Sequence, residues 1–168
     1  MKTGLKILAL VTVTLAVQRL LGHPKAPDLA AALLLPMPWL VGPPLLDFNR
    51  RWYWLSVPIG LGWDLLFEPV IGIGAIAWSI PALMTWMVTS IAAERRAGAW
   101  FAAGAGGTVV FWVVRSICSL PLDLPGTPTW SWIGASALLT GLWCTAVYGV
   151  MVLDLPARWR QRQTRRLR

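Results

Sequence analysis

Gly60-Leu61-Gly62-Trp63-Asp64-Leu65-Leu66-Phe67-Glu68-Pro69-Val70-Ile71-Gly72-Ile73-Gly74-Ala75 lies inside a nearly unbroken apolar stretch that runs from Trp52 to Ala92. A single helix over that stretch would be about 60 Å long, roughly twice the hydrocarbon thickness of a bilayer. The stretch must therefore break. Glu68-Pro69-Val70-Ile71-Gly72 brings a charge, a helix breaker and a glycine together. A tight hairpin there leaves two helices, Trp52–Phe67 and Ile73–Ala92, each close to the length that crosses a membrane.

Four further apolar runs of similar length flank this pair: Leu5–Leu21, Leu29–Leu46, Ala97–Leu120 and Trp132–Leu153. The expected fold is all-α, a polytopic integral membrane bundle of about six transmembrane helices. Residues 1–155 would form one transmembrane domain and residues 156–168 a basic tail. Composition agrees. Apolar residues make up 57% of the chain and charged residues 13%, against about 25% charged in soluble domains. A soluble chain this short keeps much of its surface exposed and could not hide so much apolar area. Twelve tryptophans suit membrane–water interfaces, where the indole ring sits among headgroups.

The net charge is +8, but the basic residues sit in short clusters between apolar runs. That pattern excludes a nucleic-acid-binding face and suits membrane topology. With the N-terminus inside, inner segments hold Lys2 and Lys6, then Arg50 and Arg51, then Arg95 and Arg96, then the tail. Outer segments hold Lys25, with Arg19 near the end of the first span. Both termini are therefore expected to be cytoplasmic. The first span resembles a signal peptide, yet Gln18-Arg19-Leu20 breaks the small-residue cleavage pattern. A retained helix is expected. Pro36, Pro38, Pro43 and Pro44 make the second span irregular and require neighbours to cover its freed carbonyls.

Candidate functional residues are few. Ser56, Gly60, Asp64 and Glu68 recur every fourth position and share one helix face. Carboxylates inside a membrane almost always face the bundle interior, so this face points inward, either as an ion or substrate path or as a structural polar contact. Arg115 lies about 27 Å along its span, a depth that matches Glu68 better than Asp64. A Glu68–Arg115 pair is preferred, and snorkelling of Arg115 to water is the alternative. Ala137, Gly141, Thr145 and Gly149 step down the last span at four-residue intervals. Such a ladder serves close packing within the monomer or against a partner helix. Cys118 and Cys144 are expected at different depths, too far apart for a disulfide. With His23 as the single histidine and no paired-cysteine spacing, neither a metal nor a cofactor is expected.

The tail carries Arg158, Arg160, Arg162, Arg165, Arg166 and Arg168, a segment that attracts anionic lipid or an acidic cytoplasmic partner. No serine-hydrolase elbow, phosphate-binding loop or zinc-protease motif occurs in the sequence. Asp64 with Asp123 could be imagined as an aspartyl dyad, but Asp123 falls in a proline-rich outer loop with nothing to fix the two together. No enzymatic activity is expected.

These features together resemble the rod-shape-determining MreD family. The resemblance covers roughly Pro27 to Leu155 and opens at Ala26-Pro27-Asp28-Leu29. Its centre is Gly60 to Ala75, similar to the family's glycine–aspartate–leucine run followed by proline, glycine and a small residue. The resemblance implies a non-enzymatic component of the bacterial cell-elongation complex in the inner membrane, supporting cell shape and peptidoglycan synthesis. Implied partners are an MreC-like bitopic protein, MreB-like filaments and the peptidoglycan synthases of that complex. It also implies a fold similar to the substrate-binding subunits of energy-coupling-factor transporters. That fold gives the alternative of a small-molecule-binding subunit for vitamin-type uptake. A small intramembrane enzyme is the second alternative.

Overall fold

In the computed structural model, residues 2–21, 32–47, 54–91, 97–122 and 128–152 are described. They form α1 (Lys2–Leu21), α2 (Met37–Asp47), α3 (Ser56–Phe67), α4 (Ile73–Ile91), α5 (Ala97–Ser119) and α6 (Trp130–Val152), with a 3-10 turn at Leu120–Leu122. No strand occurs among the described residues. The fold is therefore all-α, and its helices fall on the expected apolar runs. Among the described residues, two segments, 97–122 and 130–151, are long and apolar enough to cross a membrane.

The helices pack largely in sequence order. α3 lies against α4, α4 against α5, and α5 against α6. α2 touches α4, α5 and α6, while α1 covers α3. Close approach of α5 and α6 depends on glycine. A methyl group on Gly104 would lie 2.6 Å from Cys144 Sγ, and one on Gly141 would lie 2.9 Å from the Phe101 ring. Small residues at such a crossing let the helix backbones approach.

The irregularity expected of the second span takes the form of a non-helical segment before its helix. Leu33 to Pro36 is not helical, and α2 begins only at Met37. Backbone groups freed by this break must find partners elsewhere, because burying them unpaired is costly. Side chains from two other helices supply them. The Leu34 N–H donates to Thr140 Oγ1 at 3.1 Å and the Leu35 N–H to Gln18 Oε1 at 2.8 Å. Ser136 donates its hydroxyl to the Ala32 carbonyl, and Trp143 Nε1 donates to the Leu35 carbonyl at 3.3 Å. Gln18, Ser136 and Thr140 are buried polar residues, each satisfied by this segment.

Tryptophan placement also differs from the interfacial expectation. Trp54 and Trp130 are exposed, but Trp63, Trp78, Trp100 and Trp112 are buried. Trp63, Trp78 and Phe111 meet at ring-centroid distances of 4.6–5.4 Å, and Trp112 stands edge-on to Phe111 at 5.1 Å. Edge-to-face pairs of this kind add to the large apolar area each ring buries. The indole N–H groups of Trp63, Trp78 and Trp100 find no acceptor among the described residues.

Candidate functional site at the α3–α4 turn

The stripe Ser56, Gly60, Asp64 and Glu68 forms the seam between α3 and its neighbours. Ser56 Oγ sits 3.4 Å from Ser79 Oγ on α4. Gly60 abuts the α4 backbone so closely that a methyl group there would lie 2.4 Å from the Ala75 Cα. Only a residue without a side chain permits that approach.

Asp64 is 1% exposed and accepts three backbone hydrogen bonds from the start of α4. The Gly72 N–H donates to Oδ2 at 2.8 Å, the Gly74 N–H to Oδ1, and the Ala75 N–H to Oδ2 at 3.2 Å. The first N–H groups of a helix lack intrahelical partners and carry the positive end of its dipole. A carboxylate aimed at them is doubly stabilised. Asp64 thus caps the following helix from across the hairpin, and both its oxygens are engaged. Gly72 adopts φ +113, a conformation that glycine takes without steric cost. The helix end preceding the turn closes with the Glu68 N–H donating to the Asp64 carbonyl at 3.1 Å.

Glu68 points the other way along the stripe. Its carboxylate forms a two-point ion pair with Arg115 of α5, through Nε to Oε1 and through Nη2 to Oε2 at 3.1 Å. The Glu68 side chain is 2% exposed and that of Arg115 18%. The Arg115 guanidinium also lies 5.4 Å from the Trp112 ring centroid, within cation–π range. On the α1 side, Arg19 sits 5.6 Å from the Phe67 ring centroid. The turn is therefore held by a cap within the hairpin and an ion pair to α5.

Among the described residues, the Asp64 carboxylate is hydrogen-bonded by the backbone of Gly72, Gly74 and Ala75, and not by Arg115 or a second acid. Among the described residues, no group of three His, Cys, Asp or Glu side chains could hold a metal. Cys118 and Cys144 are free thiols, the second buried. The small-residue ladder divides. Ala137 and Gly141 are buried, Gly141 against Phe101, whereas Thr145 is half-buried with its hydroxyl on its own helix at the Gly141 carbonyl, 2.9 Å away. Gly149 has open space around it. Asp123 and the tail arginines Arg158, Arg160, Arg162, Arg165, Arg166 and Arg168 lie outside the described residues.

Sequence reasoning missed the residues that hold the broken segment before α2. Ser136, Thr140 and Trp143 share a face of α6 at offsets of four and three, one position ahead of the small-residue ladder. Polar residues in an otherwise apolar helix were the available signal. Nothing local linked them to a segment more than a hundred residues earlier.

Comparison with known proteins gives no match to any family model, curated protein or solved structure.

Proposed function

We propose that this chain is a non-enzymatic, multi-pass scaffold of the bacterial inner membrane, with both termini cytoplasmic, acting in the cell-elongation complex. The observation that carries the non-enzymatic part of this reading is the use made of Asp64. The residues at the centre of the MreD resemblance, Gly60, Asp64, Gly72 and Gly74, build one hairpin, and Asp64 spends both oxygens on its cap. An acid buried to 1% exposure with three N–H groups on its two oxygens holds shape, a use that needs neither proton transfer nor ligand binding.

Membrane residence is supported by what faces outward. α1, α3, α4, α5 and α6 each expose large apolar side chains, among them Val13, Leu65, Val88, Ile117 and Leu138. Only 33% of the most apolar window in α5 and in α6 is buried, whereas the central helix of a soluble protein is mostly covered. Lipid removes the penalty for such exposure. The uptake alternative requires a cavity lined by convergent polar groups. Mutual packing of Trp63, Trp78, Phe111 and Trp112 fills the core beside the turn and argues against that reading.

Contacts with an MreC-like bitopic protein would run through helix faces. α5 turns Gly98, Ala102 and Gly106 outward at four-residue steps, a spacing that suits close approach of a partner helix. Affinity purification in mild detergent tests the proposal: an MreC-like protein and peptidoglycan synthases should co-purify, and depletion should turn rods into spheres. Recovery of an ATP-driven importer instead, with cell shape unchanged, would refute it. Topology has its own check. A cysteine placed at Thr127 should react with an impermeant reagent from outside, and one placed at Gln163 should not.

A further inference from the structure

We infer that the α3–α4 turn is submerged in lipid, with Pro69, Val70 and Ile71 packed against acyl chains below the headgroups rather than projecting into water. This inference rests on the membrane reading above.

Three observations carry it. The tip is apolar and bare: Pro69, Val70 and Ile71 are all exposed, Ile71 by 69%. Turns at a water surface draw on Gly, Pro, Asn, Asp and Ser; Pro69 and Gly72 shape this turn, but the side chains between them, Val70 and Ile71, offer water nothing polar. Next, Glu68, the one charge in the turn, is turned inward and neutralised by Arg115. Asp64 likewise takes up N–H groups that water would otherwise satisfy. Internal satisfaction of this kind is what a hydrocarbon surrounding demands.

Depth is the third observation. The ion pair ties the turn to the level of Arg115. α5 continues four residues past Arg115 to Ser119, and Leu120–Leu122 follow as a 3-10 turn. Those segments rise about 6 Å each. Along that rise Ile117, Leu120 and Leu122 are exposed and apolar. With α5 entering the hydrocarbon near Ala97, the Arg115 level lies about 27 Å up a layer of about 30 Å, so the α3–α4 tip beside it sits at the upper edge of the acyl chains, just below the headgroups. Leu65, Leu66 and Ile76 continue the same exposed apolar surface down both arms of the hairpin, so the tip is continuous with the lipid-facing sides.

Depth-dependent quenching tests the inference. Single-cysteine variants Ile71→Cys and Leu138→Cys are made with both native cysteines replaced by alanine, labelled with bimane and reconstituted in phosphatidylcholine–phosphatidylglycerol vesicles. The Leu138 site, on the exposed middle of α6, reports on membrane residence itself. The expected result is that bimane at position 71 loses most of its emission to phospholipids brominated near the headgroup end of their chains and none to aqueous iodide. Iodide quenching at position 71, with bromolipid quenching intact at 138, overturns the submerged turn and leaves the membrane reading standing. Protection of position 71 from both quenchers also overturns it, since protein would then cover the tip. Failure of bromolipid quenching at 138 overturns the membrane reading and this inference with it.

Discussion

Replacing Gly60 with alanine should destabilise the bundle more than any other single added methyl group on α3. A Cβ at Gly60 would lie 2.4 Å from the Ala75 Cα, 2.8 Å from the Ala75 nitrogen and 2.8 Å from the Gly74 carbonyl oxygen. Ordinary carbon contacts fall at about 3.5–4.0 Å, so α3 and α4 must part by about 1 Å or more. Every atom in the way is backbone, and no rotamer change can relieve it. Overpacking of this kind costs about 1–3 kcal/mol. The same displacement stretches the hydrogen bonds from Gly74 and Ala75 to Asp64, and each hydrogen bond to a charged group is worth about 1.5–3 kcal/mol. If the stretch forfeits about half the value of those two bonds, a total of about 3–6 kcal/mol follows, partly offset by the gain of about 1 kcal/mol that alanine brings to a helix. On the scale of a folded domain this size the midpoint falls by on the order of 10 °C. The assay is thermal unfolding in detergent, followed by tryptophan fluorescence. Two comparisons sharpen it. At Gly62 the added carbon meets only Leu15 Cδ1, the end of a flexible side chain, and at Gly106 it meets nothing within 4 Å. Gly62→Ala should cost less than Gly60→Ala, and Gly106→Ala should be neutral or stabilising. A Gly60→Ala protein as stable as wild type would refute the backbone contact on which the hairpin argument stands.

Asp64→Asn keeps the shape but turns an acceptor into a donor facing N–H groups, so it should lower detergent stability by about 1–3 kcal/mol, measured as a fall in unfolding midpoint; a folded, fully complexed Asn variant that lost a measurable turnover would contradict the scaffold reading. Glu68→Gln leaves Arg115 without its counter-charge and should cost about 3–5 kcal/mol, with a Glu68→Arg, Arg115→Glu exchange recovering part of the loss; a double-mutant cycle with no coupling would sink the pair. Gly141→Leu should abolish folded protein, because Phe101 already occupies the space, whereas Gly149→Leu should leave stability unchanged; size-exclusion profiles in detergent separate the two. Gln at Arg158, Arg162, Arg165 and Arg166 should weaken association with anionic vesicles by about 1 kcal/mol per residue at low salt, and unchanged sedimentation with such vesicles would leave those arginines a topological role alone.

How much of this was legible in the sequence depends on how local the cause is. The hairpin at Glu68–Gly72 could be placed because its determinants, a proline, a charge and a glycine, are adjacent in sequence. α4 begins at Ile73 as that placement requires. The stripe Ser56, Gly60, Asp64 and Glu68 was also legible as one face, since helical period alone dictates it. Which neighbour each member meets was not. Gly60 and Asp64 face α4, while Glu68 faces α5, and that division depends on how the turn rotates the end of α3. The segment before α2 was less legible still. Four prolines announced irregularity but not its position, and the break falls at Leu33–Pro36, while Pro43 and Pro44 sit inside a helix. Gln18, Ser136, Thr140 and Trp143 select that position by offering hydrogen bonds there, and they come from the two ends of the chain. Tryptophan misled for a similar reason. Its interfacial preference is an average over many proteins, and here Trp63, Trp78 and Trp100 are worth more as bulk in the core.

A carboxylate buried between membrane helices ordinarily invites a functional reading, because its desolvation cost needs a return. Asp64 shows a return that requires no chemistry. Its charge replaces the water that three N–H groups at the start of α4 would otherwise need, and those N–H groups replace the water the carboxylate has lost. Two costs are cancelled by one contact, and the cancellation works only if the turn is short enough to bring the end of α3 beside the start of α4. Gly72 at φ +113 makes the turn short, and Gly60 and Gly74 let the arms close on it. The glycine–aspartate–proline–glycine run is thus a recipe for a tight hairpin whose carboxylate and backbone N–H groups satisfy one another without water. Such a recipe can serve a scaffold or a transporter subunit equally, so it carries fold before function. What separates those two uses lies beside the hairpin, where a binding subunit needs space and this chain has packed Trp63, Trp78 and Phe111 against one another.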